Sequence, residues 1–255
     1  MHSVAYKLLL SIFVFFVCAR AAAEEDGRLR WLSEHYAPYN YVDDKGQPQG
    51  ITVDVLKALW NKLEVPERLR KIEFMPWARG YAVVQRAPDT VLFSTTYTPA
   101  REKIFNFVGP VVENKIVILS RKQDRLQIAS DPDLKGLIIG VVREDIGEQI
   151  IIEKGVDRSS IVASNLASNL VQLLNRKRVD AIAYSYDVAV WNMLKLGIDP
   201  REFEISYLLL GGEMGFAFHK NTNPILLQRF QKALDDLKID GTVEQIRRTY
   251  LESSR

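Results

Sequence analysis

The chain has 255 residues; 47% are apolar and 26% charged, and 34 basic side chains stand against 32 acidic ones, a net charge of +2. Nothing in that balance suggests a polybasic surface for nucleic acid or for a membrane. The composition is ordinary for a globular protein, and the length is enough to bury a large core without cross-links.

The first 23 residues read as a leader. Lys7 supplies a basic n-region, Leu8 to Val17 an apolar run broken only by Ser11, and Ala19 to Ala23 a small-residue cleavage site, the plan of a secretory signal peptide. The alternative is a retained anchor. The run is short for a membrane span and Glu24-Glu25-Asp26 follows it where a stop-transfer segment carries basic residues. Cleavage after Ala23 removes Cys18, Lys7 and Arg20, so residues 24–255 carry no cysteine and almost no net charge. The expected location is the periplasm, reached through a cleaved leader.

In chain order, Leu29–Leu32 predicts a strand and Glu34–Val42 an aromatic loop containing Pro38, with turn chemistry at Asp43–Gly46. Val55, Leu56, Leu59, Trp60 and Leu63 recur at helical spacing. Ile72–Met75 predicts a second strand, ended by Pro76, and Tyr81, Val83 and Val84 a helix. Thr90–Phe93 is an apolar strand, and Thr98-Pro99 opens a helix with a threonine cap and proline in the first turn. The plan then repeats. Strands are expected at Val117–Ser120, Leu137–Val142, near Ile161, at Ala181–Tyr184 and at Gly215–Phe218. A helical turn is expected at Asp131–Leu134. Helices are expected around Ile146–Glu153, on the Leu170-Leu173-Leu174 stripe, at Val188–Leu194, at Pro224–Leu237 and at Val243–Tyr250. This alternation predicts an α/β protein of two units with a ligand cleft between them.

Enzyme signatures are missing. The chain contains no GxSxG, HExxH, Walker or GxGxxG motif, and beyond the leader only His35 and His219 as histidines. A carboxylate acid or base such as Glu144 or Asp145 stays open. No cofactor and no metal site is expected, and the expected answer to whether the chain is an enzyme is no.

Several segments in order resemble the bacterial extracellular solute-binding proteins of family 3, the amino-acid-type receptors of ABC transporters. They are Tyr36-Ala37-Pro38-Tyr39, Gln49 to Asp54, Thr98-Pro99-Ala100-Arg101-Glu102-Lys103, Arg178-Val179-Asp180-Ala181 and Leu234 to Thr242. The resemblance spans nearly all of the chain after the leader. It implies a type II periplasmic-binding-protein fold: two α/β lobes with mixed, mostly parallel sheets, joined by a two-strand hinge. Residues 24–113 plus 215–255 would form lobe 1 and 114–214 lobe 2. The hinge would lie near Val111–Val117 and Tyr207–Gly215, where Gly211 and Gly212 suit a segment that changes its dihedrals.

The resemblance also implies a site. Arg101 matches the arginine that binds the ligand's carboxylate, and a planar guanidinium suits a carboxylate through two parallel hydrogen bonds. Ser94 and Thr96 match hydrogen-bonding positions, Tyr36 matches a stacking aromatic, and Trp77 is a second wall. A solvated Arg101 and core-packed rings are the plainer alternatives. Relatives place an aspartate after the Asp-Ala pair to hold the ligand's ammonium; here Ser185 stands there, with Asp187 two residues on. Glu144 or Asp145 would then take the ammonium, or both are surface charges. The partners implied are a small ligand and a membrane permease, with no nucleic acid, and the chain is expected to be a monomer. A sensor without transport and a dehydratase-like enzyme on the same scaffold are the other readings.

Overall fold

The computed structural model describes residues 28–252; the leader, with Cys18 and its cleavage site, lies outside them. The first strand, β1 (Arg30–Ser33), buries Trp31 and Leu32 on opposite faces, as a parallel strand covered on both sides must. A short hairpin, β2 (Tyr41–Val42) and β3 (Pro48–Gln49), leads into α1 (Ile51–Lys62). Gly50, between them, has φ 119°, and a Cβ there would lie 2.3 Å from the Tyr39 carbonyl oxygen, so only glycine fits. Next come β4 (Ile72–Phe74), α2 (Trp77–Arg86), the fully buried β5 (Thr90–Thr96) and the short α3 (Pro99–Ile104).

The second unit holds β7 (Ile139–Val142), α4 (Ile146–Glu153), β8 (Ile161–Ser164), α5 (Ala167–Asn175), β9 (Ala181–Ser185) and α6 (Tyr186–Lys195). It is bracketed by two strands of 17 residues each, β6 (Phe105–Arg121) and β10 (Phe203–His219). The chain ends in α7 (Pro224–Ile239) and α8 (Thr242–Glu252), both packed on α1.

The strand order is β4-β1-β5-β10-β6-β9-β7-β8. The outer strands of each end run parallel, and the two long ones enter antiparallel. β6 and β10 pair with each other from Phe203↔Arg121 to His219↔Phe105, with three irregularities in register. One end of this ribbon pairs with β5 and the other with β9. The result is the type II periplasmic-binding-protein architecture: two α/β lobes sharing a continuous two-strand connection. The segments Val117–Ser120 and Gly215–Phe218 are therefore pieces of far longer strands. Gly109-Pro110 and Gly211-Gly212 read locally as breaks, but the ribbon continues through them because each strand finds its partner in the other.

One cluster of buried apolar side chains runs across both lobes, and each lobe also has a cluster of its own. In lobe 1, Trp31 is fully buried against Trp60, Phe216, Phe218 and Phe230, with ring centroids 5.5–6.0 Å apart. In lobe 2, Ile118, Leu134, Ile139, Val141, Ile151 and Ala183 fill the space between sheet and helices.

Candidate ligand-binding cleft

The lobes are closed on each other. Tyr39 of lobe 1 donates its hydroxyl to Asp187 Oδ2 of lobe 2 at 2.7 Å, and Trp77 Nε1 donates to the Glu144 carbonyl at 2.9 Å. Tyr36 meets Tyr184 edge-on, and Tyr41 lies 5.5 Å from Trp191. The residues between the lobes come from the carboxyl ends of β1, β4, β5, β7 and β9, the crevice where open α/β sheets bind ligands.

Arg101 is 1% exposed. Thr98 caps α3 by accepting from the Arg101 amide, which points the side chain back along β5. Its guanidinium carbon lies 5.3 Å from the Trp77 ring centroid and 5.4 Å from that of Tyr81, and the two rings stack on each other. These faces stabilise the cation without using its donors. Nη1 donates to the Thr96 carbonyl at 3.3 Å, whereas Nε and Nη2 are buried without a partner. Buried N–H groups of a cation left unpaired are costly, so this pair is poised for an acceptor.

Two carboxyls share the cleft. Asp145 sits at the start of α4, 5% exposed, with Oδ2 unpartnered. Burial raises its pKa, while Arg101 and the Ile146 amide pull it back. Glu34, at the end of β1, is 9% exposed. Burial lifts its pKa well above the carboxylate range, Asp145 adds to the rise and Arg101 opposes it.

A neutral hydrogen-bonded chain crosses the floor. Ser185 donates to Asn114 Oδ1 at 2.7 Å, and Asn114 Nδ2 donates to the Tyr36 hydroxyl at 3.1 Å. Tyr36 also stacks on Tyr39. The Tyr184 hydroxyl is buried without a partner.

The structure thus brings Arg101, Tyr36, Trp77, Asp145 and Ser185 into one cleft. Thr96 is buried beside Arg101 and meets it through its carbonyl. Ser94, with φ 60°, spends its hydroxyl inside lobe 1, on Asn40 Oδ1 and on Thr52 Oγ1 at 2.9 Å. Glu144 differs from expectation: its side chain is exposed, and it joins the site through its carbonyl. Its φ of 59° turns the backbone so that the next residue, Asp145, faces inward. Asp187 lies at the cleft edge as the acceptor of the Tyr39 bond. Sequence reasoning missed Glu34, Tyr81, Asn114 and Tyr184. Glu34 had a readable signal, its place two residues before Tyr36 at a strand end; Asn114 had none.

Among the described residues no group of three or more His, Cys, Asp or Glu is set to hold a metal, and no helix is long and apolar enough to cross a membrane. His219 accepts from the Asn221 amide on lobe 1, and His35, its pKa lowered by burial, packs on Phe74.

The chain is 26% identical over 251 residues to the arginine-binding extracellular protein ArtP of Bacillus subtilis (strain 168), covering 95% of this chain and 94% of that protein. It is 25% identical over 250 residues to the ABC transporter arginine-binding protein 1 of Escherichia coli (strain K12), covering 94% and 96%. Its fold matches a histidine kinase sensor domain with similarity to periplasmic binding proteins, with a TM-score of 0.75, 20% identity, and coverage of 88% of this chain and 96% of that one. The profile of one family matches residues 31–253. The chain belongs to the bacterial extracellular solute-binding proteins, family 3.

Proposed function

We propose that the protein captures a small carboxylate-bearing solute, an amino acid or a related compound, and delivers it to the permease of an ABC transporter. The observation that carries this reading is the unpartnered Nε–Nη2 edge of Arg101, whose guanidinium rests against the stacked pair Trp77 and Tyr81. Two parallel donors on one edge match the two oxygens of a carboxylate. The ligand docks first on lobe 1, through Arg101 and the walls Tyr36 and Trp77. Closure then adds Asp145 and the Ser185–Asn114 chain, so the ligand shifts the open–closed equilibrium by the contacts that lobe 2 contributes. In this reading lobe 1 comprises residues 24–113 and 215–255 and lobe 2 residues 114–214, and the protein works as a periplasmic monomer, not an enzyme.

The test is calorimetry of the mature chain against the common amino acids and small carboxylates, repeated on Arg101→Met, which keeps an unbranched side chain against the two rings. Loss of a charged hydrogen-bond pair predicts a drop of about a hundredfold in affinity. Unchanged affinity rules the carboxylate assignment out. A second reading, a receptor that reports occupancy to a signalling partner, is favoured by the likeness to the kinase sensor domain. Ligand-dependent stimulation of a permease–ATPase pair by this protein decides against it.

A further inference from the structure

Arg121 closes β6 at the pole of lobe 2, the end of the sheet away from the cleft: Ile116 lies opposite Ser185 at the cleft, and Ser120 opposite Ala181, where β9 begins. Its side chain is a second buried cation, 6% exposed. Nη1 donates to the carbonyls of Leu174 and Val179, the latter at 2.9 Å, and Nη2 pairs with Asp124. These bonds fasten the turn 121–125 to the loop that leads from α5 to β9. Nε is buried without a partner, so the guanidinium is only partly used by the protein. Arg121 also lines a cavity of about 410 Å³, together with Lys122, Gln123, Asn175, Glu202 and Phe203. Among the described residues the side chains of Lys122, Gln123 and Asn175 make no hydrogen bond or ion pair. The two fastened segments carry four more cations, Arg125, Arg176, Lys177 and Arg178, all exposed and, among the described residues, without an ion pair. The carboxyl end of α5 favours one cation nearby and does not explain the group. The small net charge of the whole chain hides this local excess.

We infer that this cavity is a second binding site, for a phosphate-type oxyanion, remote from the ligand cleft and independent of the carboxylate reading of Arg101. An oxygen of the anion takes the free Nε–H of Arg121, and the Lys122 ammonium and the Gln123 and Asn175 amides supply the other donors. The charge of Arg121 and Lys122 makes these bonds strong, and Arg125 and the run Arg176–Arg178 supply the field that draws an anion to the cavity mouth. The donors belong to two chain segments and outnumber the two oxygens of a carboxylate; the three or four oxygens of a phosphate or a phosphate ester match them. The carboxyls nearby set the limit. Asp124 is spent on Arg121, and Asp199 is held by Arg201, which keeps its pKa low. Glu202 lines the cavity with no partner among the described residues, so it opposes the anion directly. A free phosphate or pyrophosphate and the headgroup of an anionic phospholipid present the same chemistry to this site.

Two substitutions of opposite sign make the test, Lys122→Gln and Glu202→Gln. Both side chains are exposed, so neither change disturbs the core, and thermal unfolding confirms that each variant folds. Calorimetry of the mature chain with inorganic phosphate and with pyrophosphate, at low salt, gives the affinity for the free anion. Co-sedimentation with phosphatidylglycerol vesicles, against phosphatidylcholine vesicles as the neutral control, gives the affinity for a headgroup. Lys122→Gln should weaken binding by about five- to tenfold, and Glu202→Gln should tighten it by about two- to fivefold. Binding should weaken as salt is raised. Arg101→Met should leave it within about twofold, because the cleft lies at the other end of the sheet. Binding of pyrophosphate without the vesicles assigns the site to a free anion; binding to phosphatidylglycerol vesicles that pyrophosphate displaces assigns it to a headgroup; either sustains the inference. Binding that neither cavity variant alters, or that Arg101→Met abolishes, puts the anion elsewhere and overturns it. Failure of phosphate, pyrophosphate and vesicles alike to bind also overturns it, and leaves the cleft and its ligand untouched.

Discussion

Removing one hydroxyl should open the clamp. Tyr39→Phe keeps a ring that is 2% exposed and stacked on Tyr36, and deletes the donor to Asp187 Oδ2 at 2.7 Å, together with its longer contact of 3.4 Å to the Glu113 carbonyl. The hydroxyl stays protonated, because burial and Asp187 both push its pKa up, so it remains a donor to the Asp187 carboxyl group. A hydrogen bond to a charged group is worth about 1.5–3 kcal/mol. Each 1.4 kcal/mol or so is a factor of about ten, so the closed-to-open ratio should fall by about 10- to 100-fold. Ligand affinity should fall by the same factor if the free protein is mostly open, and by less if it is mostly closed. Single-molecule energy transfer between dyes on the two lobes reads the ratio directly. A double-mutant cycle with Asp187→Asn separates the pair from its surroundings: single effects that add within about 0.5 kcal/mol mean no coupling. An unchanged lobe distribution in Tyr39→Phe refutes the idea that this bond holds the lobes together.

Two other expectations follow from the cleft and its approach. In the closed form burial holds the pKa of Glu34 and Asp145 above that of solvated carboxyls, so this form binds protons more tightly than one in which both carboxyls are solvated. The ligand-free closed population should therefore be greatest at low pH and fall as pH rises above the ordinary carboxylate range. Asp145→Asn should flatten that dependence, measured with the same dyes between about pH 4 and 8. Gly50→Ala should destabilise lobe 1 by about 2–5 kcal/mol in urea unfolding, because a methyl meets the Tyr39 carbonyl and the residue is held at positive φ. A cost under about 0.5 kcal/mol contradicts that geometry.

What the sequence made legible was local. The stripe Val55–Leu56–Leu59–Trp60 lies buried on α1, and Thr98 caps α3 as its position before proline suggests. β5 reads as apolar and is buried throughout. The connecting ribbon was legible only through the resemblance, which put a two-strand hinge near Val111–Val117 and Tyr207–Gly215; local pattern did not show its length, since its stability comes from pairing residues about a hundred positions apart. The site divides the same way. Resemblance pointed to Arg101, Tyr36, Trp77 and Ser185 individually, but which of Glu144 and Asp145 faces inward depends on one backbone dihedral. Asn114 acquires its place only because the β6 register sets Ile116 opposite Ser185, and so brings Asn114 within reach of that hydroxyl.

The shared ribbon also orders the assembly of the molecule. Lobe 2 lies whole within one stretch of chain, whereas lobe 1 needs pieces from both ends. Trp31, near the start, packs on Phe216, Phe218 and Phe230, which emerge from the ribosome last. A growing chain therefore offers Trp31 its partner Trp60 early but not the three phenylalanines, and β5 waits equally long for the Phe218↔Val91 pairing with β10. Lobe 1 should therefore complete its core only after the whole of lobe 2 has been made. Truncation before Phe216 should leave lobe 2 able to collapse and lobe 1 without a core.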